Sequence, residues 1–255
     1  ERMTQVMFET FNTPLMYMAF QPVLGIYTSG QTTGLAIESG SSYSYTLAVY
    51  ERHGVHSTMN ILPIGGRHLT EHLEKMMRDG GSDRFEVGGF ELAQDMKEKH
   101  CCVRLNEESI EEAFYELPDG NKIEMGKERF LCPEALFHPG LLGRPERGDS
   151  IVNRSIHGIH ILANQSIQRS DVERHKELYS NIVLCGGNTL FEGMRERLLH
   201  ELTHLAPATM QVNVAERPKH NAVAWLGGSI LASLDVFKDM CISRKEYEEC
   251  GSAVV

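Results

Sequence analysis

MTQVMFETFNTPLMYMAFQPVLGIYTSGQTTGLAIESGSSYSYTLAVY, residues 3–50, carries the alternation that decides the fold. Met3, Val6, Met7 and Phe11 recur at helical spacing, and the helix must end before Pro14. Met16 to Phe20 is a short apolar run that reads as a buried strand. Gln21-Pro22 opens a second helix, because proline suits the first helical turn; it runs to Tyr27 and stops near Gly30. Two β-rich runs, Leu35–Ile37 and Tyr45–Tyr50, flank the turn Glu38–Ser42, which makes a hairpin.

The same alternation continues downstream. Gly65-Gly66 precedes an amphipathic helix carrying Leu69, Leu73 and Met76, and 86–100 is a further helical stretch. Pro118-Asp119-Gly120 is a turn between two extended pieces. Asn181–Leu184 reads as a strand that ends in Cys185-Gly186-Gly187, with a helix from about Phe191. A last helix opens at Trp225 and carries Ile230, Leu231 and Leu234. Strands alternating with helices, without an internal repeat, indicate an α/β protein.

Bulk properties narrow the class. The 255 residues suffice for one large domain or two smaller ones that share a cleft, and 41% hydrophobic content is enough for a core. Net charge of −10 argues against a nucleic-acid partner, which needs a basic footprint. No apolar run approaches the roughly 18–20 residues of a membrane helix. The first residues, Glu1-Arg2-Met3-Thr4, show no secretion signal, so a soluble cytosolic protein is expected. The six cysteines form no C-x-x-C pair and are expected as reduced thiols.

Several segments in fixed order resemble actin: the opening run, then YELPDG at 115–120, ERFLCPEALF at 128–137, NIVLCGGNTLF at 181–191 and AWLGGSILASL at 224–234. The likeness spans Met3 to Gly251 and implies an actin-like, ribonuclease-H-like ATPase fold of two α/β lobes around a nucleotide cleft. It further implies that the N-terminal part of subdomain 1 and subdomain 2 lie outside this chain. On that reading 1–28 and 223–255 are the remainder of subdomain 1, 29–64 and 143–222 are subdomain 3, and 65–142 are subdomain 4. The arginine-bearing stretch Arg144 to His157 is longer than the family's and falls at its plug loop.

The resemblance also implies site residues. ATP or ADP with magnesium would lie between two glycine-rich hairpins, of which this chain carries the second, at Glu38, Ser39 and Gly40. That hairpin is altered. Glu38 stands for the family's aspartate, Ser41-Ser42 for Asp-Gly, and Tyr45 for a histidine, while Gln21 matches the water-positioning glutamine. Losing the second glycine restricts close backbone approach. Gln21, Glu38 and Tyr45 are therefore expected to be vestigial. The base and ribose side is carried by Gly66, Lys97, Glu98, Gly186, Gly187 and Phe191, with Gln94 in place of a family arginine. Taken as bare residues, Lys97-Glu98 also fit a solvated helix face, and Gly186-Gly187 a simple strand-to-helix turn. An apolar trough for a partner's helix maps to Tyr27, Gly30, Thr32, Leu226, Ile230, Leu231, Leu234, Val236 and Met240, whose bland alternative is ordinary core.

Two motifs point elsewhere. His200-Glu201-Leu202-Thr203-His204 spells H-E-x-x-H, but Leu198, Leu202 and Leu205 should be its buried stripe, which turns both imidazoles to water. Arg147-Gly148-Asp149 and the Asn-x-Ser triplets at Asn153 and Asn164 would matter only outside the cell. The expectation is an actin-like cytoskeletal or scaffold protein of the cytoplasm. It would not be an enzyme, and would act through actin or actin-binding partners, without metal, nucleic acid or membrane. The alternative is a piece of an ATP-binding, filament-forming actin.

Overall fold

A computed structural model describes residues 1–80, 89–105, 113–117, 119–143, 157–215 and 222–254. Its centre is a five-stranded sheet. Strands β2 (Gly34–Ser39) and β3 (Ser44–Tyr50) form the expected antiparallel hairpin, in register from Gly34↔Val49 to Ser39↔Ser44. The short strands β4 (His53–Gly54) and β5 (Asn60–Leu62) both pair with the outer edge of β3. On the other side β8 (Ile182–Cys185) lies parallel to β2, with Ile37 opposite Leu184.

Side chains alternate across this sheet, as the two-residue period requires. Leu35, Ile37, Ala48, Ile182 and Leu184 join the larger core, and Ala36, Leu47, Val49, Val183 and Cys185 join a second cluster on the opposite face. Helices α6 (Ile159–Gln168) and α7 (His175–Ser180) cover the first face. Helix α2 (Gln21–Tyr27) covers the second and is crossed by α9 (Val223–Ala232). Helices therefore lie on either side of a mixed sheet, in keeping with the α/β class expected from the sequence.

The larger core runs on into α3 (Gly66–Asp79), α4 (Gly89–His100), the hairpin β6–β7 (Ala113–Glu116, Lys122–Met125) and α5 (Glu128–Glu134). Beyond α7 and β8, α8 (Met194–Leu205) packs on α6. The chain opens with α1 (Arg2–Gln5), which passes into a π-helical turn at Val6–Thr10, and closes with α10 (Phe237–Met240), β9 (Ile242–Ser243) and α11 (Arg244–Cys250). Phe8 stacks on Tyr247 at 4.7 Å and holds the two ends together.

Three expectations need correction. The run Met16–Phe20 is no buried strand: only Leu15–Met16 pair, as β1 with β9, and Tyr17, Met18 and Phe20 are exposed. A two-stranded ribbon has no second layer to cover them. The helix expected from Phe191 begins at Met194, after a 3-10 turn at Gly187–Leu190, because Gly193 takes a left-handed φ of 80°. Leu205 is 36% exposed at the last turn of α8 and stands outside the stripe of Leu198 and Leu202. Residues 81–88, 144–156 and Pro118 lie outside the described residues, and with them the start of the 86–100 helix, the Arg144–Arg154 stretch, the Arg-Gly-Asp triplet and Asn153.

Candidate functional site: a cleft closed by a serine hairpin

The turn of the β2–β3 hairpin meets the start of α3. A Cβ at Gly65 would stand 2.6 Å from Ser41 O and Tyr43 N, so only glycine lets the chain lie against that turn. The Gly66 amide donates to Gly40 O (2.9 Å) and the Arg67 amide to Ser41 O (2.8 Å). Two of the amides that a helix start leaves open are thereby satisfied by the hairpin. Asn188 clamps the other flank: its Nδ2 donates to Ser39 Oγ (3.0 Å) and Gly40 O (2.8 Å). Ser39 and Ser44 share a hydroxyl hydrogen bond of 2.7 Å, and Ser44 donates onward to Ile64 O (2.8 Å).

Beneath the turn the structure brings Gln21, Glu38 and Tyr45 together. Tyr45 Oη donates to Glu38 Oε2 at 2.9 Å, and Gln21 Nε2 donates to Glu38 Oε1. Glu38 is 5% exposed. Burial raises its pKa, against the opposing pull of the two hydrogen bonds. Tyr45 is pushed up as well, by burial and by the facing Glu38. A fold that raises a carboxyl pKa binds its proton more tightly than the unfolded chain does. This contribution is therefore present in acid and is lost as pH rises through the folded pKa. Glu38→Gln should flatten that dependence: its melting temperature should gain on the parent between pH 5 and pH 7.5, and a constant offset would contradict it.

A cleft of about 1010 Å³ opens beside the hairpin, between α3, α4 and the 187–192 turn. Of the nine residues the resemblance placed at a nucleotide, Gly40, Gly66, Lys97, Glu98, Gly187 and Phe191 line it. The other three expected residues do not line it. Glu38 and Ser39 are buried under the turn, and Gly186, at φ 87°, packs against the Ser39 backbone, where a Cβ would collide. The solvated-face reading of Lys97-Glu98 fails for one of the pair. Lys97 is 5% exposed, and its Nζ donates to Gly66 O and Thr70 Oγ1, each at 2.9 Å. Burial lowers its pKa. Glu98 is exposed and accepts from Gln94 Nε2 at 3.0 Å.

Sequence reasoning missed Asn188, Thr70, Arg129 and His100 as cleft residues. Arg129 Nε donates to His100 O at 2.9 Å, which ties α5 to the end of α4. Asn188 carried a usable signal, a carboxamide directly after Gly186-Gly187. Such a side chain in a tight turn commonly bonds nearby backbone.

Gly66, Glu98, Gly187 and Phe191 stand together on the cleft wall, and its size suits a ligand as large as a nucleoside. Magnesium fits poorly. Both oxygens of Glu38 are taken by neutral donors, and no group of three or more His, Cys, Asp or Glu suited to a metal occurs among the described residues. His200 and His204 are exposed on α8, with His204 Nδ1 at 2.8 Å from His200 O, and Glu201 is held by Arg197 Nε at 2.7 Å. The intervening glutamate of H-E-x-x-H is thus a structural ion-pair partner. Asn164 is half-buried in α6 and accepts from Tyr179 Oη at 2.6 Å.

The trough residues form an exposed face more than a furrow. Leu226 (46%), Ile230 (36%), Val236 (51%) and Met240 (40%) are exposed, whereas Tyr27 and Leu234 are half-buried. Leu231 is core, at 3%. Gly30 is exposed, and Thr32 lines a separate polar cavity of about 510 Å³ with Asn181 and Asn213. No helix among the described residues is long and apolar enough to cross a membrane.

A mixed sheet between helices, with a Ser/Gly hairpin, a Gly-Gly turn and a helix start converging on one cleft, defines an α/β protein with a cleft at the hairpin tip. A model of the actin family matches residues 1–255, and the chain belongs to that family.

Proposed function

We propose that this chain is an actin-like cytoskeletal or scaffold protein of the cytoplasm that does not turn over ATP and works by binding partners through the apolar face of α9 and α10. The observation that carries the first half is the Gln21–Glu38–Tyr45 cluster, in which the buried Glu38 accepts from both an exposed Gln21 and a buried Tyr45. Hydrolysis needs a polar group free to orient the attacking water and an ionised carboxylate to organise charge around the phosphates. Here Gln21 Nε2 is drawn onto Glu38, which fixes the orientation of its carboxamide, and burial disfavours the ionised form of that carboxylate. The second half rests on four exposed apolar side chains, Leu226 and Ile230 on α9, Val236 just before α10 and Met240 on α10.

Phosphate release from ATP by the purified chain, with magnesium, tests the first half. The expected result is no release above the protein-free background over hours. Sustained turnover, lost in Gln21→Ala, would overturn the reading.

A further inference from the structure

We infer that the start of α6 carries a site for a small organic carboxylate. An open depression of about 480 Å³, apart from the cleft beside the hairpin, is walled by residues 137–141 and 157–161. The second segment opens the ten-residue helix α6, with Gly158 as its N-cap. A Cβ at Gly158 would stand 2.0 Å from Phe137 O, so the position must stay glycine and has no side chain to cap with. The Ile159 amide donates to Leu136 O at 2.8 Å, but the amides of His160 and Ile161 have no acceptor among the described residues. Open amides at the positive end of a helix are suited to an anion. The second mark of a site is His160, which is 9% exposed and lies in the same wall. Its Nδ1 is buried without a hydrogen-bond partner, a condition shared only with Thr4 Oγ1 among the described residues. Its Cε1, the carbon between the two ring nitrogens, faces the helix mouth: a Cβ at Gly158 would stand 2.8 Å from it. Burial lowers the His160 pKa, so the ring is neutral at neutral pH and one nitrogen carries a proton. An unsatisfied buried imidazole is costly, and an acceptor bound in the depression removes that cost.

The neighbours set the charge of the ligand. Glu134 and Glu201 are near enough to act on His160, and both are held by Arg197. Arg197 Nη2 lies 2.9 Å from Glu134 Oε1, and its Nε lies 2.7 Å from Glu201 Oε1. His138 Nδ1 is also 2.7 Å from Glu134 Oε1. With two carboxylates sharing one guanidinium, a dianion would meet repulsion. Two amides and an imidazole match instead the two oxygens of one carboxylate. Pro139 and Leu141, which is 40% exposed, put apolar surface in the same depression. A small acid with an apolar body, aromatic or aliphatic, meets both requirements.

Titration of the chain with benzoate, benzamide, acetate and inorganic phosphate, followed by ligand-observed NMR, tests this. Benzoate should bind saturably and at least about tenfold tighter than benzamide, its neutral counterpart, because hydrogen bonds to a charged acceptor are the stronger ones. Acetate should bind more weakly for want of an apolar body, and phosphate because of its second charge. His160→Phe keeps a ring against Phe137 and removes both ring nitrogens. Leu141→Asp puts a like charge at an exposed position and should leave the fold intact. Each variant, once circular dichroism verifies that it folds, should bind benzoate at least about fivefold more weakly than the parent. Four results would each overturn the inference: benzamide binding as tightly as benzoate, phosphate binding more tightly than benzoate, no saturable benzoate binding, or parent affinity in either folded variant.

Discussion

Gly227→Ala should destabilise the chain by about 3 kcal/mol, near the upper end for overpacking a tight contact. Helix α9 crosses α2 at this residue, and a Cβ there would collide with the Leu24 carbonyl, an atom of the facing backbone. Backbone cannot rotate away as a side chain does, so the helices must separate along the contact that covers one face of the central sheet. The alanine gains helix propensity of no more than about 1 kcal/mol, which does not offset the collision. For a chain of this size the melting temperature should fall by roughly 6–12 °C. Gly228→Ala is the internal control. Its Cβ would meet only Leu24 Cδ1, at 3.9 Å, and it should be neutral or slightly stabilising. Equal losses in both variants would show that propensity or unfolded-state effects, and not the crossing, set the response. Helix α2 also carries Gln21 at its first position, so the same substitution should loosen the Gln21–Glu38 contact.

The features legible in the sequence were those written in local pattern. Alternation in Leu35–Ile37 and Tyr45–Tyr50 marked the hairpin, Pro22 marked the start of α2, and Gly65-Gly66 marked α3; all three stand in the structure. The features it hid are set by distant neighbours. Lys97 has the composition of a surface residue, and only the approach of Gly66 and Thr70 from α3 makes it a buried strut. Met16–Phe20 has the composition of a buried strand, but burial needs a covering layer, which apolarity alone does not supply. Gly186 and Gly187 look equivalent as a pair. One is consumed by packing on Ser39 and the other lines the cleft, a division fixed by the φ of 87° at Gly186.

The site follows the same rule. The resemblance named Gln21, Glu38 and Tyr45 from their positions in a pattern, and the structure adds what pattern cannot: Gln21 and Tyr45 each donate to the buried Glu38. A buried polar group with its bonds complete stabilises a fold, but is poorly placed to serve a ligand as well. Ser39, Ser44 and Asn188 extend that closure to the base of the hairpin. The base of the hairpin, at Glu38, Ser39, Ser44 and Tyr45, is therefore a well-bonded piece of core, and its turn links α3 to the 187–190 turn.

The second large effect concerns the partner face. Ile230→Asp should weaken capture of an amphipathic partner helix at least about thirtyfold, the range of an apolar anchor at the centre of an interface. Ile230 is 36% exposed, four residues from Leu226 on the same face of α9, so the two can serve as successive anchors for an apolar helix stripe. An aspartate in that contact would be desolvated without a counter-charge. In the free protein it meets water, and the fold should lose no more than about 1 kcal/mol. Trp225 supplies the readout. It is the chain's single tryptophan, lies beside Leu226 and is 76% exposed. Titration with a leucine-rich amphipathic peptide should shift Trp225 emission to the blue as the ring leaves water. The shift should vanish in Ile230→Asp and persist in a control such as Leu190→Asp, in the wall of the cleft beside the hairpin. Saturable binding of equal affinity in parent and Ile230→Asp would place the partner surface away from α9. Loss in the Leu190 control as well would show that the response reports general stickiness of exposed apolar groups and not a defined docking face.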